Sequence, residues 1–302
     1  MRVTNQSLSQ QVTEGMQLAF RRLAKVQESA ATGKRINRLS DDGLGAVQAL
    51  DLRSFSTSLD QYARNIESAI PLLEQTDASL TDVTNVIDRA QKLAVTLASD
   101  SYSASDRQAG TAEVREVLQQ LLSVANTKLD GRYIFAGFKN DQAAFTDTGA
   151  GVVYNGDSGE ITTTSGPSAS VTVNLPGNQV LRGAGGTGGV DLFDVLNDLL
   201  TALTTNDVNG ANGVQTQIGR LDRAREQVVE ARTKVGARIN TAEAAQESLD
   251  IMQVRAKSLR SQVEDADAIQ VYSDLARQQS AFEAALQSAS RVIQPSLIDY
   301  LR

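Results

Sequence analysis

Eight unbroken heptads run from Val214 to Ala266, and they constrain the fold of this chain more than any other feature. Apolar residues recur about every 3.5 positions, so one stripe faces a partner helix throughout, which is typical of a coiled coil. At about 1.5 Å per residue the helix would be roughly 80 Å long. The first heptad series is Val214, Leu221, Val228, Val235, Ala242, Leu249, Ala256 and Val263. The companion series is Gln217, Ala224, Ala231, Arg238, Ala245, Met252, Leu259 and Ala266. We therefore predict a long structural helix here.

A second heptad pattern extends from Leu52 to Leu97 and predicts another long helix. Pro71 lies inside this pattern, and because proline lacks a backbone donor and clashes with the preceding turn, we expect a kink or a local break there. A third, shorter helix is predicted from about Ser105 to Leu129, with Ser105 and Asp106 as its capping residues.

The composition excludes several functional classes. The chain has no Cys and no His, which removes disulfides, thiol nucleophiles, Ser-His triads and the usual zinc sites, and we predict no cofactor. A net charge of −7 gives no general attraction to nucleic acid, and no run approaches the roughly 20 apolar residues of a membrane helix. Residues 1–7 lack the apolar region of a cleavable signal peptide, so we expect a cytoplasmic protein or one exported without such a peptide.

The segment between the two long helices differs sharply in composition. Most of the glycines lie between Gly131 and Gly189. Short runs rich in β-branched residues, separated by turn residues, predict hairpins, so we interpret residues 138–189 as a small β-rich insert in a helical body. The runs are 151–156, 160–164 and 170–175.

Three other motifs are better explained by structural roles than by ligand binding. Residues 183–188 match a dinucleotide fingerprint, but hairpins rather than a βαβ unit precede them, so we predict a flexible linker. Residues 32–35 resemble the end of a phosphate loop, but the first glycine and the Ser or Thr of such a loop are missing. We therefore exclude a phosphate loop there. The acidic run 264–267 is interpreted as an exposed junction rather than a metal site.

Both ends of the chain carry weak apolar stripes at helical spacing. Residues 1–42 hold seven basic and four acidic side chains, whereas residues 264–302 hold three basic and six acidic ones. These opposite charges favour pairing of the ends, although solvated faces of accidental sign would give the same counts. Because few apolar side chains would be buried, we expect the ends to order fully only when neighbouring subunits cover them. The predicted assembly interface is Leu8, Val12, Ala19, Val26, Leu275, Phe282, Leu286, Ala289 and Ile293.

Three segments carry a resemblance to a known family. Residues 30–42, with the sequence AATGKRINRLSDD, resemble the amino-terminal signature of bacterial flagellins and their junction proteins. Residues 126–137, NTKLDGRYIFAG, and the ending 296–302 resemble the hook–filament junction members, the third hook-associated proteins, rather than flagellin itself. The family-motif positions are Gly33, Arg35, Ile36, Asn37, Asp41, Asp42, Gly131, Arg132, Tyr133, Ile134, Phe135 and Gly137.

The resemblance implies a mainly α fold, an elongated coiled-coil helical bundle with paired terminal helices and a small β-rich insert. Residues 1–41 and 264–302 would form an inner-tube domain that orders on assembly. Residues 42–137 and 190–263 would form the bundle, and residues 138–189 would face outward.

The function that the resemblance implies is that of a non-enzymatic adaptor in the extracellular flagellum. Its partners would be the first hook-associated protein, flagellin, identical subunits in a ring, and an export chaperone. A filament-forming flagellin is the alternative within this family. An enzyme hosted by the glycine-rich segment, and a coiled-coil adhesin or needle-tip protein, are alternatives from other classes.

Overall fold

The computed structural model describes residues 5–149, 151–184 and 188–300, and the side chains of residues 10–149, 151–184 and 188–290. The chain divides into two compact units. The first unit contains the described residues up to Ser58 together with those from Met252 onward, and the second unit is Leu59–Ile251.

Helices dominate the described residues. The long ones are α1 (Asn5–Thr32), α2 (Gly43–Leu97), α3 (Ala104–Ala125), α5 (Leu192–Thr205), α6 (Val214–Glu264) and α7 (Ala268–Tyr300), and α4 (Gly177–Val180) is a single turn. The strands are β1 (Lys128–Leu129), β2 (Arg132–Tyr133), β3 (Phe145–Asp147), β4 (Val152–Tyr154), β5 (Thr162–Gly166) and β6 (Ala169–Thr172). They form three separate antiparallel pairs, β1–β2, β3–β4 and β5–β6. The predicted fold class, mainly α with a small β-rich insert, is confirmed.

The structure decides one open point of the helix prediction, at Pro71 in α2, and corrects the bounds of α3. Helix α2 continues through Pro71, so the proline does not break it. Helix α3 starts one residue earlier than predicted, because Ser103 rather than Ser105 is the N-cap and forms a capping box with Asp106. The same helix ends at Ala125, where the chain turns into the β1–β2 hairpin.

The heptad residues of α2 and α6 form the core of the second unit. Leu73, Leu80 and Ile87 of α2 belong to the same buried cluster as Leu221 and Val228 of α6. Polar contacts run beside this core and tie the two helices together. The Arg232 guanidinium lies 3.1 Å from Asp77, the Arg225 guanidinium lies 3.1 Å from Asp88, and Gln91 donates to Asp222 at 2.6 Å.

The companion heptad series is only partly buried. Gln217, Ala224 and Ala231 are buried, as the pattern requires. Farther along α6, in the first unit, Met252 and Leu259 are 38% and 51% exposed. The prediction of an apolar seam along the whole companion series is therefore wrong, because only one stripe of this part of α6 has packing neighbours within the chain.

The segment predicted as an insert contributes directly to the second unit's core. The ring of Phe145 lies 5.0 Å from the rings of both Tyr154 and Phe193. Other residues of this segment join the same buried cluster, namely Ala144, Val152, Leu175, Val180 and Leu181.

A buried cation fixes one end of the second unit. Arg107, 6% exposed, donates to the carbonyls of Leu97 at 2.8 Å and Ser99 at 2.9 Å, and to the Asn206 side chain at 2.7 Å. Arg107 thus satisfies carbonyl groups where α2 ends and a side chain where α5 ends.

Among the helices that the structure describes, none is long and apolar enough to cross a membrane.

Candidate assembly interface

The first unit pairs the two terminal helices, α1 and α7, along their apolar stripes. The rings of Phe20 and Phe282 lie 5.9 Å apart at an interplanar angle of 49°, a tilted geometry that aromatic pairs favour. An apolar groove of about 400 Å³ opens beside this contact. Its lining is Met16, Gln17, Phe20, Arg21, Phe282 and Leu286.

Of the predicted interface residues, Phe282 and Leu286 line the groove between these two helices. Ala289 is buried and Leu286 is exposed. The remaining residues with described side chains are half-buried: Val12, Ala19, Val26, Leu275 and Phe282. The side chains of Leu8 and Ile293 lie outside the described residues.

Several large apolar side chains of the first unit face solvent instead. Ile269 is 85% exposed, Tyr272 is 62% exposed and Phe20 is 59% exposed. Helix α2 begins with a similar exposed set, Leu44, Val47 and Leu50. Exposed apolar surface of this extent is typical of an interaction site. The predicted interface did not include these side chains.

We call residues 33–42, which join α1 to α2, and residues 263–267, which join α6 to α7, the clasp. They meet as a short antiparallel bridge between Lys34 and Asp265. The Arg35 N–H donates to the Glu264 carbonyl at 2.8 Å, and the Ala266 N–H donates to the Gly33 carbonyl at 2.9 Å. Gly33 allows this geometry because its φ is +70°, a left-handed conformation that suits the end of α1.

The carboxylate of Glu264 lies at the centre of the clasp. Its side chain is 3% exposed and accepts hydrogen bonds from the Lys34 ammonium and the Arg53 guanidinium. Burial alone would raise the pKa of Glu264, but these two hydrogen bonds outweigh burial and lower that pKa below its ordinary value. The prediction of an exposed acidic junction is therefore wrong at Glu264, because two cations distant in sequence neutralise its charge.

The amino-terminal family motif supplies the other contacts of the clasp. The Asp41 carboxylate accepts from the Asn37 and Arg38 N–H groups at 3.3 and 3.0 Å, and lies 2.9 Å from the Lys25 ammonium. The Lys25 hydrogen bond is the main cause of the lowered pKa of Asp41. Asp42 accepts from the Gly45 N–H at 2.9 Å, which caps α2.

The remaining motif side chains hold this loop in place. The Arg35 guanidinium bridges the Asp42 carboxylate at 3.2 Å and the Val263 carbonyl at 2.9 Å. The Asn37 side chain donates to the Lys34 carbonyl at 3.0 Å, and Ile36 is buried. The structure thus brings Gly33, Arg35, Ile36, Asn37, Asp41 and Asp42 together, and it adds Glu264 and Arg53, which sequence reasoning missed.

The second family motif lies in the second unit, where it links the β1–β2 hairpin to the core. Gly131 takes a φ of +79° at the hairpin turn, and Arg132 is exposed beyond it. The Lys128 ammonium lies 4.4 Å from the centre of the Tyr133 ring, within cation–π range. Ile134 and Phe135 then enter the core.

Gly137 ends this motif at a crowded point. Its φ is +70°, and a Cβ there would lie 2.2 Å from the Asp157 carboxylate and 2.5 Å from the Asp157 carbonyl oxygen. The same carbonyl, like that of Phe135, accepts a hydrogen bond from the Tyr154 hydroxyl. The residues of this motif therefore position a hairpin and the buried turn that follows it, and they form no catalytic arrangement. Among the described residues, no group of acidic side chains is arranged to hold a metal ion.

Comparison with known proteins gives consistent results. Residues 3–140 match the family described as the bacterial flagellin N-terminal helical region. Flagellar hook-associated protein 3 of Salmonella typhimurium is 29% identical over 60% of this chain and 56% of that protein. The Escherichia coli protein of the same name is 32% identical over 49% of this chain and 47% of that protein. A Listeria monocytogenes flagellin is 32% identical over 42% of this chain and 44% of that protein.

Solved structures share the fold. FlgL of Xanthomonas campestris superposes with a TM-score of 0.61 at 18% identity, covering 70% of this chain and 99% of that chain. The flagellar hook-associated protein-3 of Legionella pneumophila gives 0.62 at 15% identity, covering 70% and 98%. The matched part spans about half the length of the curated relatives. The predicted resemblance to the flagellin family is confirmed, and these relatives are structural flagellar proteins rather than enzymes.

Proposed function

We propose that this chain, a relative of the bacterial flagellins, is the structural adaptor that joins the hook side of a flagellum to its filament. In this role the protein acts outside the cell and carries out no chemical reaction. One side of its ring of identical subunits contacts the first hook-associated protein, and the other side contacts the first flagellin subunits. An export chaperone is a further expected partner.

The segment from Gly131 to Gly137 carries this proposal. By resemblance it separates junction members from flagellin, and here it is part of the fold, since Ile134 and Phe135 enter the core. The names of the two hook-associated relatives support the same assignment.

The first unit supports a role in assembly. Its paired helices α1 and α7 expose Phe20, Ile269 and Tyr272, whose burial would contribute roughly 1.5–3 kcal/mol each when fully covered. We infer that neighbouring subunits cover these side chains, and that residues 1–41 and 264–302 form the inner tube and order fully on assembly. Residues 42–137 and 190–263 then form the surrounding bundle, and residues 138–189 face outward.

Immunogold labelling of isolated flagella tests the proposal. An antibody against this chain should label one position between hook and filament. Labelling along the whole filament would instead support the alternative, a filament-forming flagellin, which the similarity to Listeria flagellin favours. Label away from flagella would refute both.

A complementation assay tests the assembly surface separately. In a strain lacking the gene, the double variant Phe20→Ala/Phe282→Ala should be exported but should leave flagellin in the medium, because hook and filament are no longer joined. The matched control is Val229→Ala, which removes an exposed apolar side chain of the second unit. Normal motility of the double variant would contradict a role for the α1–α7 surface.

A further inference from the structure

Three Asn-Gly dipeptides occur in the chain: Asn155-Gly156, Asn209-Gly210 and Asn212-Gly213. In such a pair the glycine nitrogen can attack the side-chain carboxamide of the asparagine, because glycine has no Cβ to block the approach. Asparagine is for this reason among the thermolabile residues. The three pairs have different surroundings in this structure, so they should differ in reactivity.

Asn209-Gly210 lies in the loop between α5 and α6, next to a carboxylate. Oδ1 of Asp207 accepts a hydrogen bond from the Gly210 N–H at 2.7 Å. A Cβ at Gly210 would lie 2.3 Å from Oδ2 of Asp207, so the carboxylate lies directly against this glycine. The Asn209 side chain is exposed. Within the described part of the chain it makes no hydrogen bond that would hold its carboxamide away from the Gly210 nitrogen.

The Asn155 pair has a restrained carboxamide. Nδ2 of Asn155 donates to the Thr146 hydroxyl at 2.7 Å and lies 3.4 Å from the Ala143 carbonyl. The turn is also crowded, since the Tyr154 hydroxyl lies 2.5 Å from the Cβ position of Gly156. This carboxamide is therefore held by partners that the Asn209 carboxamide lacks.

The Asn212 pair lacks a base. Its Gly213 N–H donates to the Gly210 carbonyl at 2.9 Å, and a carbonyl oxygen cannot accept the proton that the nitrogen must lose. Gly213 is also buried. Asn212-Gly213 is therefore a control for Asn209-Gly210 within the same loop.

We propose that Asn209 is a site of spontaneous deamidation in which Asp207 acts as the general base. Asp207 takes the proton of the Gly210 N–H, and the nitrogen forms a bond to Cγ of Asn209. The bond from Cγ to Nδ2 breaks, and ammonia leaves with the proton that Asp207 returns. Water then opens the resulting cyclic imide at either carbonyl, giving aspartate or isoaspartate. The net change is Asn plus water to an acidic residue plus ammonia.

The inference is independent of the proposed function. Each conversion adds a negative charge beside Asp207, whose backbone N–H donates to the Ala202 carbonyl and whose carbonyl accepts from the Val214 N–H. The isoaspartate product also lengthens the backbone by one carbon between α5 and α6. The modification therefore changes both charge and geometry where the long helix α6 begins.

Peptide mapping of the full chain, incubated at neutral pH and body temperature, tests the proposal. The mass change from an amide to an acid should appear at Asn209 roughly a hundredfold faster than at Asn212, the lower end of what a positioned base contributes. The Asn155 site should be slower than Asn209 as well. Equal rates at the three sites, or a faster rate at Asn155 or Asn212, would overturn the proposal.

A substitution tests the role of the base directly. Asp207→Asn keeps an oxygen acceptor for the Gly210 N–H but removes the base, so the rate at Asn209 should fall to that at Asn212. Position 207 is followed by Val208, whose branched side chain hinders the same attack at the substituted residue. An unchanged rate at Asn209 in a variant with an unaltered circular dichroism spectrum would refute Asp207 as the base, and the comparison of the three wild-type sites does not depend on this variant.

Discussion

The buried carboxylate of Glu264 accepts a hydrogen bond from the guanidinium of Arg53. The same carboxylate accepts from Lys34, so one acidic group pairs with two cations, one from the family motif and one from α2. The contact with Lys34 joins the end of α6 to the segment that follows α1. Within the first unit, this contact adds to the backbone bridge between Lys34 and Asp265 that joins the two segments of the clasp.

Replacing the central carboxylate of the clasp should weaken it. We expect Glu264→Gln to lower the free energy of unfolding of the first unit by about 1–3 kcal/mol, since Lys34 and Arg53 are partly exposed and regain water. Hydrogen exchange at the Arg35 and Ala266 amides should report faster opening. The control is Asp265→Asn, since the bridge uses only the backbone of that exposed residue. Equal protection in both variants would contradict a central role for the Glu264 charge.

Acid should open the clasp for the same reason. Glu264, Asp41 and Asp42 all have a lowered pKa in the folded protein, so their stabilisation is fully present above the unfolded pKa values. That stabilisation is lost as the pH falls through the folded pKa values, which lie below 4.5 for Glu264 and below 3.8 for the two aspartates. Amide exchange at Arg35, corrected for its intrinsic pH dependence, should accelerate below about pH 4. In Glu264→Gln this acceleration of amide exchange should be smaller than in the wild type. An equal acceleration in both proteins would mean that other groups cause it.

The helical part of the fold was predictable because the heptad pattern shows which face of each helix is apolar. Leu73, Leu80 and Leu221 lie in the core, where the repeat places them. The same reasoning failed at Leu259, because a heptad pattern shows which face a helix offers and not whether a neighbour covers it.

The clasp and the insert's core residues were not predictable by local patterns. Glu264 lies in a run of acidic residues that is typical of solvent-exposed chain, and its partner Lys34 is 230 positions away. Phe145 stands on a three-residue strand among turn residues, too short for an alternating pattern to indicate burial. Both positions depend on long-range contacts that appear only when the chain has folded.

Phe282 should matter more in the assembled state than in the isolated chain. Its ring contacts Phe20 and lines a groove that is open in the isolated chain. We expect Phe282→Ala to cost about 1 kcal/mol in the isolated chain, and roughly 3–5 kcal/mol where neighbouring subunits bury the ring. Thermal melts of the monomer, compared with dissociation of isolated flagella, measure the two values. A larger loss in the monomer than in the assembly would show that the contact is mainly intramolecular.

Arg107 should contribute strongly to the stability of the second unit. Arg107→Ala leaves the carbonyls of Leu97 and Ser99 without their partner in a buried site, which should cost about 2–4 kcal/mol. The matched control is Arg115→Ala, an exposed residue of the same helix, which should change stability by less than about 0.5 kcal/mol. Urea unfolding followed by circular dichroism measures both. A loss for Arg107→Ala as small as the control would mean that water replaces the guanidinium.

Two glycines of the second family motif should respond differently to the same substitution. Both have a positive φ, +79° at Gly131 and +70° at Gly137, so alanine at either position adds backbone strain of about 1–2 kcal/mol. Gly131 has open space around its Cβ position, whereas a Cβ at Gly137 would lie 2.5 Å from the carbonyl oxygen of Asp157. Gly137→Ala must therefore also displace backbone, and we expect a total cost above about 3 kcal/mol, against about 1–2 kcal/mol for Gly131→Ala. Chemical unfolding of the two variants beside wild type measures the difference. Equal losses in the free energy of unfolding would show that the Asp157 backbone moves away from a Cβ at Gly137 at little cost. The requirement for glycine at both positions would then come from the positive φ alone.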